Sequence, residues 1–187
     1  MRRAVFLDRD GTLNVRPDEH AYVESLDGFV WLAGALEGAS ALARAGFVLA
    51  VVSNQRGVAR GLVSWATLTS IEHEIQARMR DAGAEITAFR YCPHDLADAC
   101  DCRKPAPGMI LALARTLDID LPRSWMIGDS ESDIAAGQAA GCRTALIDEP
   151  GSPARSRRSQ PDIVAPSLRA AATAILRRAE AEPLSPA

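Results

Sequence analysis

The sequence predicts an α/β fold: one parallel sheet with helices packed on both faces. Three observations predict it. Short apolar runs, continuous rather than alternating, recur along the chain, as expected of strands buried on both faces. Longer stretches of helical periodicity lie between them, bounded by cap and turn residues. The residues with chemical potential cluster just after the apolar runs, and parallel α/β sheets gather their ligands beyond the carboxyl ends of the strands.

In chain order, Ala4–Leu7 is the first candidate strand. Gly34–Ala45 reads as a helix that stops at Gly46 and leads into a strand over Val48–Val52. Trp65–Ala82 is the second helix, with Ser64 as its N-cap and Gly83 as its stop. Ile86–Tyr91 is the third strand. Gly108–Leu117 is the third helix, with Pro107 in its first turn. Trp125–Ile127 is the fourth strand, Ser132–Ala140 a helix ending at Gly141, and Thr144–Ile147 the fifth strand. Residues 150–161, "PGSPARSRRSQP", have the composition of a surface loop. In the last helix, Leu168–Glu180, the spacing of Leu168, Ala172, Ile175 and Leu176 gives one apolar face, expected to dock on the sheet. No internal repeat or composition break divides the chain, so residues 1–187 are expected to form a single domain.

Composition narrows the function. The chain is 48% hydrophobic and 24% charged, with a formal net charge of -3. It has no basic stripe with interleaved aromatics, which argues against nucleic acid. Its apolar runs are broken by charges or glycines, so no segment reads as a membrane span. The N-terminal "MRRAVFLDRD" reads as a first strand rather than an export signal, so the cytoplasm is the expected compartment. In a reducing compartment, clustered cysteines read as metal ligands rather than disulfides.

The expected strand ends carry Asp8 and Asp10 in "DRDGTLN", Ser53 and Asn54 in "SNQ", Lys104 after a Cys/His loop, and Asp129 and Asp133 in "GDSESD". Four carboxylates brought to one sheet edge repel unless a cation joins them, and hard oxygen ligands point to Mg2+. One carboxylate can act as a nucleophile on phosphorus. A second, two residues on, can protonate the leaving alkoxide and then deprotonate water. A hydroxyl and an ammonium can hold the phosphoryl oxygens. Each element alone has an ordinary reading as a turn or loop; all of them together, in this order, do not.

"FLDRDGTLN", "VVSNQ", "RKPAPGM" and "IGDSESD" resemble the four motifs of the haloacid dehalogenase (HAD) superfamily, a match spanning residues 6–133. The resemblance implies a HAD-like (Rossmannoid) domain. It implies a phosphoric monoester hydrolase in which Asp8 is the nucleophile, Asp10 the general acid/base, Ser53 a phosphoryl-binding hydroxyl and Lys104 the charge partner of Asp8. It further implies Mg2+ held by Asp8, Asp129 and the backbone carbonyl of Asp10, with Asp133 supporting from behind. Two families within the superfamily carry a "CPH…CDCRKP" loop: D-glycero-D-manno-heptose 1,7-bisphosphate 7-phosphatases and histidinol-phosphate phosphatases. Both lack a large cap domain, and the resemblance to them implies the same here. "LNVRPDEHAYVESLDGFVWLAGALE", "SNQRGVARGLVS" and "CRKPAPGMI" resemble the heptose family, with Arg56 where that family usually has serine. The five residues between His94 and Cys100 resemble the histidinol-phosphate family instead. The implied partner is a small phosphorylated sugar, and the implied state is a monomer.

Cys92, His94, Cys100 and Cys102 fill all four positions of tetrahedral Zn2+, which argues a structural site in the loop at 92–102 that steadies Arg103 and Lys104. Asn54 and Gln55 are expected to orient substrate. Arg60 and Arg103 are expected to meet phosphate or sugar oxygens, with a solvated position the competing reading for Arg60. His20 falls in the loop expected beside the substrate, and His73 is expected on the surface. Cys142 is expected as a buried thiol, and Trp31, Trp65 and Trp125 as packing residues. A zinc-bearing binding module without catalysis is the rival reading; it explains the cysteine loop and leaves the carboxylates without a role.

Overall fold

The computed structural model describes residues 1–18, 21–148 and 159–181. Its sheet comprises β1 (Ala4–Leu7), β2 (Val48–Asn54), β3 (Ala88–Cys92), β4 (Trp125–Gly128), β5 (Arg143–Ile147) and β6 (Ile163–Ala165). The spatial order is β3-β2-β1-β4-β5-β6, and every neighbouring pair is parallel. Among the described residues, five α-helices complete the single α/β domain: α1 (Ala35–Arg44), α2 (Trp65–Asp81), α3 (Gly108–Leu117), α4 (Glu131–Ala140) and α5 (Leu168–Ala181).

The period-2 geometry of strands divides the core in two. Val5, Leu7, Leu49, Val51, Trp125 and Ile127 face one way, onto α1, α2 and α5. Ala4, Phe6, Ala50, Val52 and Met126 face the other way, onto Met109, Ile110 and Leu113 of α3 and Ala136 of α4. This explains why the strand runs are apolar without alternation. The strand order reverses between β1 and β4, which opens a crevice above their carboxyl ends. Asp8 and Asp129 follow these two strands and therefore face each other across it.

Several elements differ from their sequence-based bounds. β2 continues through Ser53 and Asn54, so both lie within the strand rather than after it. β3 begins at Ala88 and ends on Cys92. Pro107 stands at the N-cap of α3, one position before the first turn. The edge strand β6 was not expected, because three residues are too few to carry a period. Helix α5 leans on β5 and β6 as expected, and also on α1. That second contact depends on Gly38, where a Cβ would come within 2.7 Å of the Leu168 backbone.

Ser64 caps α2 as expected, its hydroxyl accepting from Thr67 N at 3.0 Å. Trp125 is buried, and Trp31 stacks edge-on against Phe29 at 5.2 Å. Trp65 corrects the expectation of packing: it opens α2 on the solvent side and is 55% exposed. Cys142 is buried, and burial pushes its thiol up to about 12. His73 is exposed. His20 and residues 150–158 of the expected surface loop lie outside the described residues. Among the described residues no helix is long and apolar enough to cross a membrane.

Candidate active site

Asp8 leaves the end of β1 with its backbone N–H donating to Ile127 O at 2.9 Å, which extends the pairing with β4 by one residue. Its Oδ1 accepts from Arg9 N at 2.7 Å and meets Lys104 Nζ at 2.8 Å. The Lys104 ammonium also meets Asp133 Oδ1 at 2.6 Å and donates to Val52 O at 2.8 Å. Three partners thus surround its three protons. Burial would lower the Lys104 pKa, but Asp133 and Asp8 outweigh it and hold the group cationic. Asp133 is fixed in turn by a capping box at the start of α4, where its Oδ2 accepts from Ser130 N at 3.0 Å and Ser130 Oγ at 2.5 Å.

The fit to a divalent cation rests on the carboxylates. One oxygen each of Asp8, Asp129 and Asp133 lie within 4.8 Å of one another. Burial first, then the charges of Asp133 and Asp129, raise Asp8 to about 7 against the opposing pull of Lys104. That much like charge in a buried site matches the donor set and electrostatics of Mg2+. Gly11 makes the approach of Asp129 feasible. It has φ +90°, and a Cβ there would lie 2.2 Å from Asp129 Oδ2. Arg16, which the sequence did not single out, reaches Asp129 Oδ1 at 2.8 Å.

Asp10 sits in a nest of donors. Its Oδ1 accepts from Arg9 Nε at 3.1 Å, Arg9 Nη2 at 2.8 Å and Asn14 Nδ2 at 2.9 Å. Its Oδ2 accepts from Arg9 Nη2 at 2.8 Å and Gln55 Nε2 at 2.9 Å. Gln55 Nε2 also donates to the buried Ser53 Oγ at 2.9 Å, which ties the hydroxyl to the acid. Arg9 and Asn14 were not singled out from the sequence, since neither residue type by itself signals a partner in Asp10. Only the tight turn, where Arg9 O accepts from Leu13 N at 2.8 Å and Asn14 N at 3.1 Å, brings both onto Asp10.

The expected substrate contacts divide. Gln55 is in the site but engaged with Asp10 and Ser53. Asn54 instead pairs with the backbone of Lys104, donating to its O and accepting from its N, each at 3.0 Å. Its side chain thereby fixes the backbone of Lys104. Arg60 turns to the cysteine loop, its Nε meeting Asp95 at 3.1 Å. Arg56 meets the same carboxylate at 3.6 Å and donates to the Tyr22 hydroxyl at 3.3 Å. Arg103 Nη1 donates to His94 O at 3.3 Å.

The cysteine cluster fits zinc. Cys92 Sγ lies 3.6 Å from both His94 Nδ1 and Cys100 Sγ. His94 Nδ1 is 3.2 Å from Cys102 Sγ, which is 3.4 Å from Cys100 Sγ. A tetrahedron with metal–sulfur bonds of about 2.3 Å has edges near 3.8 Å, close to these separations. The cluster could hold zinc through three thiolates and Nδ1, with no fourth position left open. It stands beside the carboxylate cluster of Asp8, Asp129 and Asp133, joined to it by Arg103 and Lys104.

With this geometry in place, likeness to known proteins is informative. A family model described as HAD-hydrolase-like matches residues 101–171. The D-glycero-beta-D-manno-heptose-1,7-bisphosphate 7-phosphatase of Vibrio cholerae is 40% identical over 157 residues, which cover 80% of this chain and 83% of that one. The enzyme of the same name from Escherichia coli K12 is 37% identical over 157 residues, covering 80% and 81%. The crystal structure of D,D-heptose 1,7-bisphosphate phosphatase from B. bronchiseptica, complexed with magnesium and phosphate, superposes with a TM-score of 0.82 at 34% identity, covering 94% of this chain and 99% of that one.

Proposed function

Since this chain belongs to the HAD-like hydrolase family and is a phosphoric monoester hydrolase, we propose that it removes the C7 phosphate of D-glycero-D-manno-heptose 1,7-bisphosphate through an aspartyl-phosphate. The observation that carries this reading is the Lys104–Asp8 contact of 2.8 Å beside Asp129 and Asp133, in a chain 36–40% identical to phosphatases of that name.

In the first step the Asp8 carboxylate attacks phosphorus and the bond from phosphorus to the C7 oxygen breaks. The Asp10 carboxyl gives its proton to the departing alkoxide. In the second step a water oxygen attacks phosphorus, Asp10 takes the water proton, and the phosphorus–Asp8 bond breaks to release orthophosphate. Positioned acid–base groups of this kind supply about 10²–10⁴ in rate. Lys104 keeps Asp8 paired and neutralises phosphoryl charge, and Ser53 Oγ, oriented by Gln55, binds a phosphoryl oxygen. Asp8, Asp129 and the Asp10 carbonyl would hold Mg2+, with Asp133 in support; when bound it neutralises the remaining phosphoryl charge. The zinc cluster serves as a brace for the loop that ends in Arg103 and Lys104. No large cap stands over the site among the described residues, so the loops at residues 21–25, 55–62 and 92–102 shape access to it.

A second reading, histidinol phosphate as substrate, is favoured by the short spacing between His94 and Cys100. Phosphate release should be measured with both anomers of the heptose bisphosphate, fructose bisphosphate and histidinol phosphate, with Mg2+ present. A heptose bisphosphate should be the best substrate by kcat/KM. A large preference for histidinol phosphate would replace the first reading with the second.

A further inference from the structure

Arg9 is a fully buried arginine, 0% exposed, one residue from the nucleophile. Its Nε and Nη2 both engage the carboxylate of Asp10, while Nη1 is buried and has no hydrogen-bond partner among the described residues. Tyr91, on β3, lies within its electrostatic reach: burial first, then Glu72, push the phenol pKa up, and Arg9 opposes them. A guanidinium drawn wholly out of water, with one nitrogen left unsatisfied, is a poor device for stability alone. Desolvation of a buried ion pair generally cancels what the pair returns, and apolar packing would serve the core as well. Local rules are broken in this way mostly where function requires it. Arg9 also cannot reach a substrate, because it has no exposed surface. Whatever it does for the reaction it does through Asp10.

We propose that Arg9 is a positioning residue: its planar fork, with the amides of Asn14 and Gln55, fixes the orientation in which the Asp10 carboxyl meets the leaving oxygen. A carboxyl on a short side chain keeps freedom about χ1 and χ2, and proton transfer requires the donor within hydrogen-bond reach of one particular atom. Contact from two guanidinium nitrogens removes the rotation that a single donor would leave. Lysine at this position would supply charge without the fork. Because Asn14 and Gln55 approach the opposite oxygens, the carboxyl is held from three directions.

The inference rests on the assignment of Asp10 as acid/base, and the test separates the two. kcat/KM, which reports the chemistry only through phosphoenzyme formation, is measured with a sugar phosphate and with p-nitrophenyl phosphate, in the presence of Mg2+. The alkoxide of the sugar needs a proton to leave, whereas nitrophenolate does not. Asp10→Asn should therefore lose far more on the sugar phosphate than on the aryl phosphate. An equal loss on both would sink the acid assignment itself. Given that selective loss, Arg9→Met should show the same selectivity, falling about tenfold or more on the sugar phosphate with a much smaller change on the aryl phosphate. Arg9→Lys, which keeps the charge and most of the stem, should show the same bias with a smaller loss, and it decides the matter if Arg9→Met does not fold. Equal losses on the two substrates, no loss, or a gain on the sugar phosphate in the lysine variant would overturn the positioning role.

Discussion

Replacing Gly11 with alanine tests how the turn after β1 builds the catalytic edge. The Cβ would stand 2.2 Å from Asp129 Oδ2, 2.4 Å from its Cγ and 2.9 Å from its Oδ1. Such contacts do not fall below about 3.0 Å, so the carboxylate must retreat by roughly 1 Å, a misplacement able to cost about 100-fold in rate. The substitution also forces a residue with a side chain to φ +90°, at about 1–2 kcal/mol. For a domain of this size that lowers Tm by about 2–8 °C. Gly46→Ala separates the two effects. Its φ is +84° and nothing lies within 4 Å of the added Cβ, so it carries the strain without the clash. Both variants should lose similar Tm in a thermal melt. Only Gly11→Ala should lose about 100-fold in kcat/KM for phosphate release and need a higher Mg2+ concentration for half-maximal activity. If Gly11→Ala stays within about threefold of Gly46→Ala, the claim that Asp129 needs this close approach to act is wrong.

Other perturbations address the remaining parts of the site. Asp8→Asn should reduce phosphate release by on the order of 10⁴-fold or more while leaving the melting profile cooperative and the zinc content unchanged; substantial turnover would remove Asp8 as nucleophile. Asn54→Ala deletes both contacts to the Lys104 backbone. It should cost about 1–3 kcal/mol by denaturant titration and lower kcat more than it raises KM, whereas a change in KM alone would return Asn54 to substrate binding. Stripping zinc with a chelator should lower activity about tenfold or more through the loop that carries Lys104, and restoring zinc should recover it. Full activity in folded, zinc-free protein would separate the cluster from catalysis.

The sequence by itself determined the α/β class, the first five strands to within a few residues, and which residue types would meet at one edge. Those features are local. Apolar runs mark buried strands whatever their neighbours, and motif residues fixed to strand ends travel with the strands. The edge strand β6 and the exposure of Trp65 were not legible, because a three-residue segment has no period and a helix's first residue can face either way. Tertiary structure alone decided the partners of the polar side chains. The residue type of Asn54 suits a substrate ligand, and the fold sets its amide against the backbone of Lys104, fifty residues away in sequence. Arg60 suits either a phosphate contact or a solvated position, and the fold brings Asp95 of the cysteine loop within 3.1 Å of its Nε. Nothing in the residue type of Arg9 indicates that the turn at Gly11 buries it against Asp10. Residue type limits which hydrogen bonds a side chain can make; which of them it makes depends on what the fold brings within about 3 Å, and that is set by chain segments far apart in sequence.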